Sequence, residues 1–245
     1  MIEQNQFEQG EKKKEKIKRL SLKPVENMEG LFVGTKKDGK PYTVRKDRHR
    51  TFFPDEWLIF DASLKPEQRF IFRTLLMSGA RIEECLNIRV KDFFWDRNYI
   101  RLYVTKSKAS KGESKEIGGS ARSFVVSSQY IREAKAYIKE RNLKDADRLF
   151  NYSKQGVYQL FRRKLQEVGI KDWYNFSLHN IRKTHGMWLK TLIPYSREIT
   201  EGEICMRLGH DFNTFLKHYG SPSIFNEKDK SMMMKIFGDI YGLVR

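Results

Sequence analysis

The sequence predicts a mostly α-helical protein of the α+β class, with one small antiparallel β-sheet. Apolar residues recur at helical spacing in a series of segments, at 128–141, 154–168, 178–192, 198–208 and 212–219. Two other segments, 93–104 and 122–126, have the composition of paired strands. A length of 245 residues allows one or two domains and is sufficient to bury a sizeable core.

The first fifty residues differ from the rest of the chain. Residues 1–19 are almost wholly polar, and the lysine run at 12–14 favours a frayed, solvated helix, with a flexible basic arm as the alternative. Residues 34–42 predict a hairpin turn between short strands. We therefore divide the chain into a basic N-terminal arm or short extension, partly flexible, at 1–49 and a main domain at 50–245.

Two helices are predicted at the start of the main domain. Pro54 followed by two acids suits a first helical turn, because proline has a helical φ and acids interact favourably with the helix dipole. The next helix spans 66–78, where apolar residues form a broad face, and Gly79 ends it. Arg81 is therefore expected at a corner between two helices.

The predicted sheet follows these helices. Ile100, Leu102 and Val104 alternate with Arg101 and Tyr103, which is typical of a strand with one buried face. Residues 122–126 supply the strand that returns beside it. A long loop rich in lysine and glycine, at 105–120, joins the two strands.

The charge of the chain favours nucleic acid as a partner. Lysine and arginine number 48 against 31 aspartates and glutamates, which gives a formal net charge of +17. A protein that neutralises backbone phosphates has this balance. A solvated basic surface and binding to acidic lipids are the alternatives that composition alone leaves open.

Cysteine content and hydropathy exclude several other classes. Cys85 and Cys205 are the two cysteines, too few for a disulfide framework or a thiolate zinc site. No apolar run approaches the roughly 20 residues of a membrane-spanning helix, and the charged start lacks the apolar core of a signal peptide. We expect a protein of a reducing compartment, cytoplasmic and associated with the nucleoid, with no membrane partner.

Two arginines in short motifs point to phosphate chemistry. The motifs are, in chain order, Gly79-Ala80-Arg81-Ile82-Glu83-Glu84, His179-x-x-Arg182 and Leu208-Gly209-His210, with Tyr219 nine residues later. A guanidinium stays charged and offers a planar set of donors that matches phosphate oxygens. Arg81 and Arg182 could therefore bind a phosphodiester whose transition state gathers negative charge. A surface salt bridge is the alternative for each arginine.

Tyr219 is the candidate nucleophile. Its hydroxyl, with an ordinary pKa of about 10, needs a nearby base and a positive environment to react at neutral pH. His179 is a candidate base, because its spacing of three from Arg182 puts both side chains on one helix face. The alternative for Tyr219 is an ordinary core aromatic, since the chain has 11 tyrosines. His185 and His218 lack the compact ligand spacing of a metal site.

The motifs together resemble the catalytic domain of the tyrosine recombinases, the phage-integrase family of site-specific DNA recombinases. The resemblance covers roughly residues 50–222 and includes Leu86 and the stretch 89–92 after the first motif. It implies a helical catalytic domain that cuts and rejoins DNA through a 3′-phosphotyrosyl intermediate. Neither metal nor ATP nor another cofactor is required, because transesterification preserves the bond energy. Integration or excision of a mobile element is the implied activity.

The resemblance also implies roles for further residues. His210 would donate to the phosphate or support the attacking tyrosine. A lysine after the strand that follows the first arginine protonates the leaving 5′-oxygen. Lys106 is our choice for it and Lys108 the runner-up. Contacts with DNA phosphates are expected from basic residues, namely Lys108, Lys111, Lys115 and Lys183.

The implied partners are double-stranded DNA and further copies of the chain. Strand exchange in this family takes a tetrameric synapse, and accessory DNA-binding proteins can direct it. The tail, at about 223–245, is apolar at several positions and is hypothesised to dock on a neighbouring protomer. Packing on its own domain is the alternative.

Departures from the family pattern keep other functions open. About fifty residues precede the main domain, too few for the separate core-binding domain of typical members. Asn180 stands where an acid is usual, and Lys183 where a second histidine is common. The alternatives are a catalytically reduced DNA-binding regulator of the same fold and a type IB topoisomerase, against which the spacing from His210 to Tyr219 argues.

Overall fold

The computed structural model describes residues 23–29, 31–35, 41–45, 50–103, 121–219 and 224–243. The chain divides into two units, 1–48 and 49–245. In the first, an antiparallel sheet contains strands β1 (Lys23–Pro24), β2 (Leu31–Thr35) and β3 (Pro41–Arg45) in that order. β2 and β3 confirm the predicted hairpin strands, and β1 was not predicted. The turn at 36–40 and the polar start lie outside the described residues.

The second unit is mostly helical. In the described ranges its helices are α1 (Pro54–Ala62), α2 (Pro66–Ser78), α3 (Ile82–Leu86), α4 (Ser128–Glu140), α5 (Lys154–Glu167), α6 (Leu178–Leu192), α7 (Glu201–Leu208), α8 (Phe212–Tyr219) and α9 (Glu227–Phe237). Its antiparallel sheet contains β4 (Phe93–Phe94), β5 (Tyr99–Tyr103) and β6 (Ala121–Val125) in that order. The predicted fold class is confirmed. None of these helices has the length and apolar content needed to cross a bilayer.

One predicted helix begins later than expected. The apolar pattern predicted a helix over 198–208, whereas α7 begins at Glu201. The side-chain oxygen of Thr200 accepts a hydrogen bond from the backbone N–H of Glu203 (3.1 Å) and thereby caps the first turn. Thr200 itself has extended backbone geometry, which apolar spacing alone does not report.

The corner between α2 and α3 is where the sequence predicted it. Gly79 ends α2 with a φ of +61°, in the left-handed region that favours glycine. A Cβ atom at this position would also lie 2.5 Å from the imidazole Cδ2 of His185. The sharp turn leaves Arg81 as the residue immediately before α3.

Helix α6 is the central element of the second unit. It packs against α2, α7, α8 and α9, and Trp188 is fully buried. The segment before α1 runs beside one face of α6. Three side chains spaced by four residues bind its backbone: Asn180 Nδ2 donates to the carbonyl of Arg50 (2.5 Å), Thr184 Oγ1 accepts from the N–H of Phe52 (2.9 Å), and Trp188 Nε1 donates to the carbonyl of Phe52 (3.1 Å).

The C-terminal turn of α2 is held by basic side chains. The last carbonyls of a helix have no partner within it, so they must accept hydrogen bonds from elsewhere. Side chains of α6 and α7 supply the donors: His185 Nδ1 to Leu76 O (2.6 Å), Arg207 Nη2 to Met77 O and Arg182 Nη1 to Gly79 O (2.6 Å). These contacts join three helices at one point.

The tail packs on its own unit. Met233, Phe237 and Ile240 are fully buried, and the Phe237 ring lies 5.9 Å from the ring of Trp188. The hydroxyl of Tyr241 accepts a hydrogen bond from Arg207 Nη1 (2.7 Å). The tail therefore contacts its own domain, and docking on a neighbouring protomer stays a prediction.

Replacing Phe237 with alanine tests how much the tail contributes to the core. Phe237→Ala removes a fully buried ring, so we expect the free energy of unfolding in urea to fall by about 3–5 kcal/mol. Phe212→Ala is the matched control, because Phe212 is 50% exposed, and its change should stay within about 0.5–1 kcal/mol. Equal losses in the two variants would contradict the buried position of the tail.

Candidate active site

The structure brings together those candidate residues that lie within the ranges it describes. Arg81 lies at the corner before α3, His179 and Arg182 lie in the first turns of α6, His210 follows α7, and Tyr219 is the last residue of α8. Lys183 lies beside Arg182 on α6. The loop lysines predicted to act here, Lys106, Lys108, Lys111 and Lys115, lie outside the described residues.

A cavity of about 280 Å³ lies between the corner before α3, the start of α5 and the first turns of α6. Arg81, His179 and Arg182 line it. Glu83 and Lys154, to which the sequence analysis assigned no role, line it as well. The cavity is large enough for a phosphate group, and four of its eight lining residues are arginine, lysine or histidine.

Arg182 is the most deeply buried charge of the site. It is 1% exposed, and its guanidinium donates to the carbonyls of Gly79 (2.6 Å) and Leu208, the ends of α2 and α7. Carbonyls at helix C-termini carry partial negative charge, which stabilises a cation. Burial and the neighbouring cations Arg122 and Arg81 lower the pKa of Arg182 to about 10, so it stays charged at neutral pH.

Arg81 is oriented by a buried carboxylate. Glu84 accepts hydrogen bonds from the backbone N–H of Arg81 (2.9 Å), from Arg81 Nη1 (2.9 Å) and from Arg122 Nη2. Burial acts to raise the pKa of Glu84, but the hydrogen bonds and charges of the two arginines outweigh it and lower this pKa. The ionised Glu84 thus fixes Arg81, whose side chain is still 47% exposed towards the cavity.

Arg122 is a residue of the site that the sequence analysis did not assign. It lies on β6 opposite Leu102, and its side chain is 11% exposed. Its Nε and Nη1 have no partner among the described residues. The alternation that places Phe124 in the core also turns Arg122 inward, and that signal could have identified it. A basic residue at a buried strand position requires a partner or an anion.

The turn that carries His210 is shaped by Arg122. Gly209 has a φ of +58°, and a Cβ atom there would lie 2.9 Å from Arg122 Nη1. The N–H of His210 donates to the carbonyl of Cys205 (3.0 Å), which completes the cap of α7. The glycine of this motif is therefore required by both the backbone conformation and the close approach of the arginine.

His210 is neutral and has a donor to spare. Its Nε2 lies 3.1 Å from Arg182 Nη2, and because a guanidinium can only donate, Nε2 accepts and the neutral ring carries its proton on Nδ1. No described residue accepts from this buried Nδ1. Burial and the charges of Arg182 and Arg81 lower the pKa of His210 to about 4.

His179 is neutral for the same physical reasons. Its imidazole keeps an exposed edge at the cavity. Partial loss of hydration, followed by the charges of Arg182, Lys183 and Arg81, lowers its pKa to about 4. A neutral imidazole can accept a proton, which a base must do.

Tyr219 is enclosed by the protein. It is 1% exposed, its ring lies 6.2 Å from that of His210, and Lys190 Nζ donates to its backbone carbonyl. Burial raises the pKa of Tyr219 to about 12, although the charge of Arg182 acts in the opposite direction. Gly186 makes room for the ring, since a Cβ atom there would lie 2.7 Å from Tyr219 Cε1.

The amide at position 180 has a structural use. Asn180 Oδ1 accepts from the backbone N–H (2.8 Å) and the hydroxyl (2.6 Å) of Ser177, which caps α6. Its Nδ2 donates to the carbonyl of Arg50. An ionised carboxylate could accept the two hydrogen bonds from Ser177, but it has no donor for the carbonyl of Arg50. Asn180 therefore anchors the segment before α1 and the first turn of α6 together.

His185 belongs to the support of the site. Its Nδ1 donates to Leu76 O, its Nε2 accepts from Arg207 Nε (2.9 Å), and the ring is fully buried. Within the ranges that the structure describes, no group of three or more histidines, cysteines or acids is arranged to hold a metal ion.

Comparison with known proteins identifies similar sequences. The profile of the Phage integrase family matches residues 56–220 of this chain. The tyrosine recombinase XerA of Saccharolobus solfataricus is 28% identical over 126 residues, which cover 51% of this chain and 38% of XerA. The family match spans every described residue that the motifs placed in the site.

Solved structures share the fold. The crystal structure of XerA recombinase superposes with a TM-score of 0.57 at 16% identity and covers 76% of this chain and 64% of that chain. XerH bound to difH substrate in a pre-cleavage complex gives 0.54 at 17% identity, with 80% and 57% covered. The Tn1549 transposon integrase in complex with transposon right end DNA gives 0.55 at 16% identity, with 76% and 65% covered. This chain thus spans less than two thirds of each of these relatives.

Replacing Gly186 with alanine tests the close packing of Tyr219. We expect Gly186→Ala to lower the free energy of unfolding by about 1–3 kcal/mol, because the new methyl group overlaps the tyrosine ring. Gly202→Ala is the control, since a Cβ atom at this helical position meets nothing closer than 3.8 Å. It should raise stability by about 0.5–1 kcal/mol in the same urea titration. A stabilised Gly186→Ala variant would show that the ring does not occupy this space.

The lowered histidine pKa values predict acid sensitivity. His179 and His210 bind a proton near pH 4 in the folded chain and near their usual 6.5 when unfolded. The unfolded state therefore binds more protons between these values, and the free energy of unfolding should fall as the pH drops from about 6.5 to about 4. Titration of the imidazole C–H resonances by NMR measures both values directly, and ordinary values near 6.5 in the folded protein would contradict this account.

Proposed function

The chain belongs to the phage integrase family, and we propose that it is a site-specific DNA recombinase that cuts and rejoins double-stranded DNA through a 3′-phosphotyrosyl intermediate. The observation that carries the proposal is the excess of positive charge beside a tyrosine. Arg81 and Arg182 line the cavity, and Arg122 lies behind it, bonded to Glu84, the buried carboxylate that accepts hydrogen bonds from both Arg81 and Arg122. Such a site attracts an anion.

The arginines are proposed to bind the scissile phosphate. Arg81 projects into the cavity from its contact with Glu84, and Arg182 is locked between two helix ends. Neither has to reorganise extensively to stabilise charge that develops on the non-bridging oxygens. His210, with its free Nδ1 proton, is proposed to donate to the same group.

The reaction is proposed as a transesterification. The oxygen of Tyr219 bonds to the phosphorus, the bond to the 5′-oxygen breaks, and His179 takes the tyrosine proton. Lys106 gives a proton to the leaving oxygen, and a 5′-hydroxyl from a partner strand later reverses these steps. Since the Tyr219 side chain is 1% exposed, the proposal includes a shift of the end of α8 when DNA binds.

The proposal extends to partners and organisation. Residues 50–245 would form the catalytic domain, and the basic extension at 1–49 would add contacts with DNA. Strand exchange between two duplexes would take a tetramer of the chain, and integration or excision of a mobile element is the proposed outcome. Association with the nucleoid follows from DNA as the substrate.

Detection of a covalent adduct tests the function. Supercoiled plasmid carrying the DNA that flanks the gene is mixed with the protein in EDTA without ATP, and the reaction is stopped with detergent. We expect protein covalently bound to DNA, and its complete loss in Tyr219→Phe, which removes the nucleophilic oxygen. Tyr195→Phe is the control, because the Tyr195 hydroxyl binds Glu227 and takes no part in the proposed chemistry.

Each outcome has a definite meaning. Adduct formation by the parent and by Tyr195→Phe, but not by Tyr219→Phe, supports the proposal. DNA binding without any adduct would favour a catalytically silent DNA-binding protein of this fold. An adduct that persists in Tyr219→Phe would assign the nucleophile to another residue.

A further inference from the structure

We propose that Lys154 binds a backbone phosphate of the DNA strand that is cleaved, and that Glu83 competes with the DNA for this lysine. The inference rests on the proposed function, because it assigns a substrate contact within the same cavity. Both residues line that cavity together with Arg81, His179 and Arg182. Neither belongs to the set of residues that the motifs singled out for catalysis.

The ion pair between Lys154 and Glu83 spans the rim of the cavity. Lys154 is the first residue of α5, and Glu83 lies in the first turn of α3. The distance from Lys154 Nζ to Glu83 Oε1 is 2.6 Å. Arg81 lines the same cavity, so the ammonium group and the arginine proposed to bind the scissile phosphate share one wall.

The position of Lys154 is unfavourable for the helix that carries it. The N-terminus of a helix has partial positive charge, so a cation in the first turn reduces helix stability. The first turn of α5 contains no acid that would offset this effect. Ser153 supplies the cap by accepting from the N–H of Gly156 (3.0 Å), but it adds no charge. A residue whose charge lowers the stability of the helix that carries it frequently has a function.

The ion pair is weak enough to exchange. The side chains of Lys154 and Glu83 are 61% and 49% exposed, and pairs in this setting contribute little to stability. A DNA phosphate offers the ammonium group a stronger charge-assisted hydrogen bond and releases bound counterions. The lysine can therefore leave Glu83 for the DNA at low cost. When no DNA is bound, Glu83 pairs with the ammonium group.

Binding of a short fluorescent duplex from the flanking DNA tests the assignment. We expect Lys154→Gln to weaken binding about tenfold, as for loss of one hydrogen bond to a charged group. The slope of log Kd against log salt should fall by about one, the signature of a single lost phosphate contact. Glu83→Gln should tighten binding by up to about fivefold, since the competitor is removed.

A matched ion pair on the same helix is the control. Lys164 Nζ lies 2.6 Å from Glu167 Oε2 near the C-terminal end of α5, and neither residue lines the cavity. Lys164→Gln and Glu167→Gln alter net charge by the same amounts as the test variants. They should leave both Kd and its salt dependence almost unchanged. The comparison thus separates a general effect of net charge on DNA binding from the loss of a specific phosphate contact.

The double variant completes the test. If Glu83 acts through Lys154, the gain from Glu83→Gln should disappear in the Lys154→Gln background. Circular dichroism checks that each variant is folded. A parent that neither binds DNA nor forms the Tyr219 adduct would overturn the proposed function. A parent that does both, with Lys154→Gln indistinguishable from Lys164→Gln, would overturn this inference alone.

Discussion

The carbonyls at the C-terminal end of α2, which have no partner within the helix, are the constraint on which the site depends. Helix ends must find external donors, and here the donors are His185, Arg207 and Arg182. The partial negative charge of these carbonyls compensates the burial of Arg182, which would otherwise be costly. The same contacts join α2, α6 and α7. The hydrogen bonds that hold the three helices together are therefore the same ones that place the Arg182 guanidinium.

The electrostatics of the cavity follow from that arrangement. Once Arg182 is fixed, Arg81 and Arg122 meet beside it through Glu84, and the local positive charge exceeds the negative charge. The cations and the loss of hydration keep His179 and His210 neutral. A neutral imidazole can accept a proton or donate one from its free nitrogen. The site therefore presents permanent charge to an anion and keeps its titratable groups in the form that the proposed chemistry uses.

Several parts of the fold could be predicted from local sequence. The bounds of α2, α6 and α8 agree with the apolar pattern, because proline, capping residues and glycine mark their ends. The start of α7 and strand β1 were missed, and a short turn at Trp95–Arg97 divides the segment predicted as strand at 93–104 into β4 and β5. Thr200 shifts the start of α7 through one side-chain hydrogen bond. A strand of two residues such as β1 carries too little alternation to be recognised, and it exists because a longer neighbour pairs with it.

The motif spacing by itself predicted Arg81, His179, Arg182, His210 and Tyr219 as the candidate site residues, since the spacing along α6 and around two glycine turns is a local property of the chain. Burial and partners were decided by tertiary structure. Tyr219 is enclosed because Gly186 leaves room for its ring, and Arg122 joins the site because β6 turns it inward beside Gly209. These facts depend on distances between segments far apart in sequence. Residue order carries no direct measure of such distances, whereas packing against a shared core sets them.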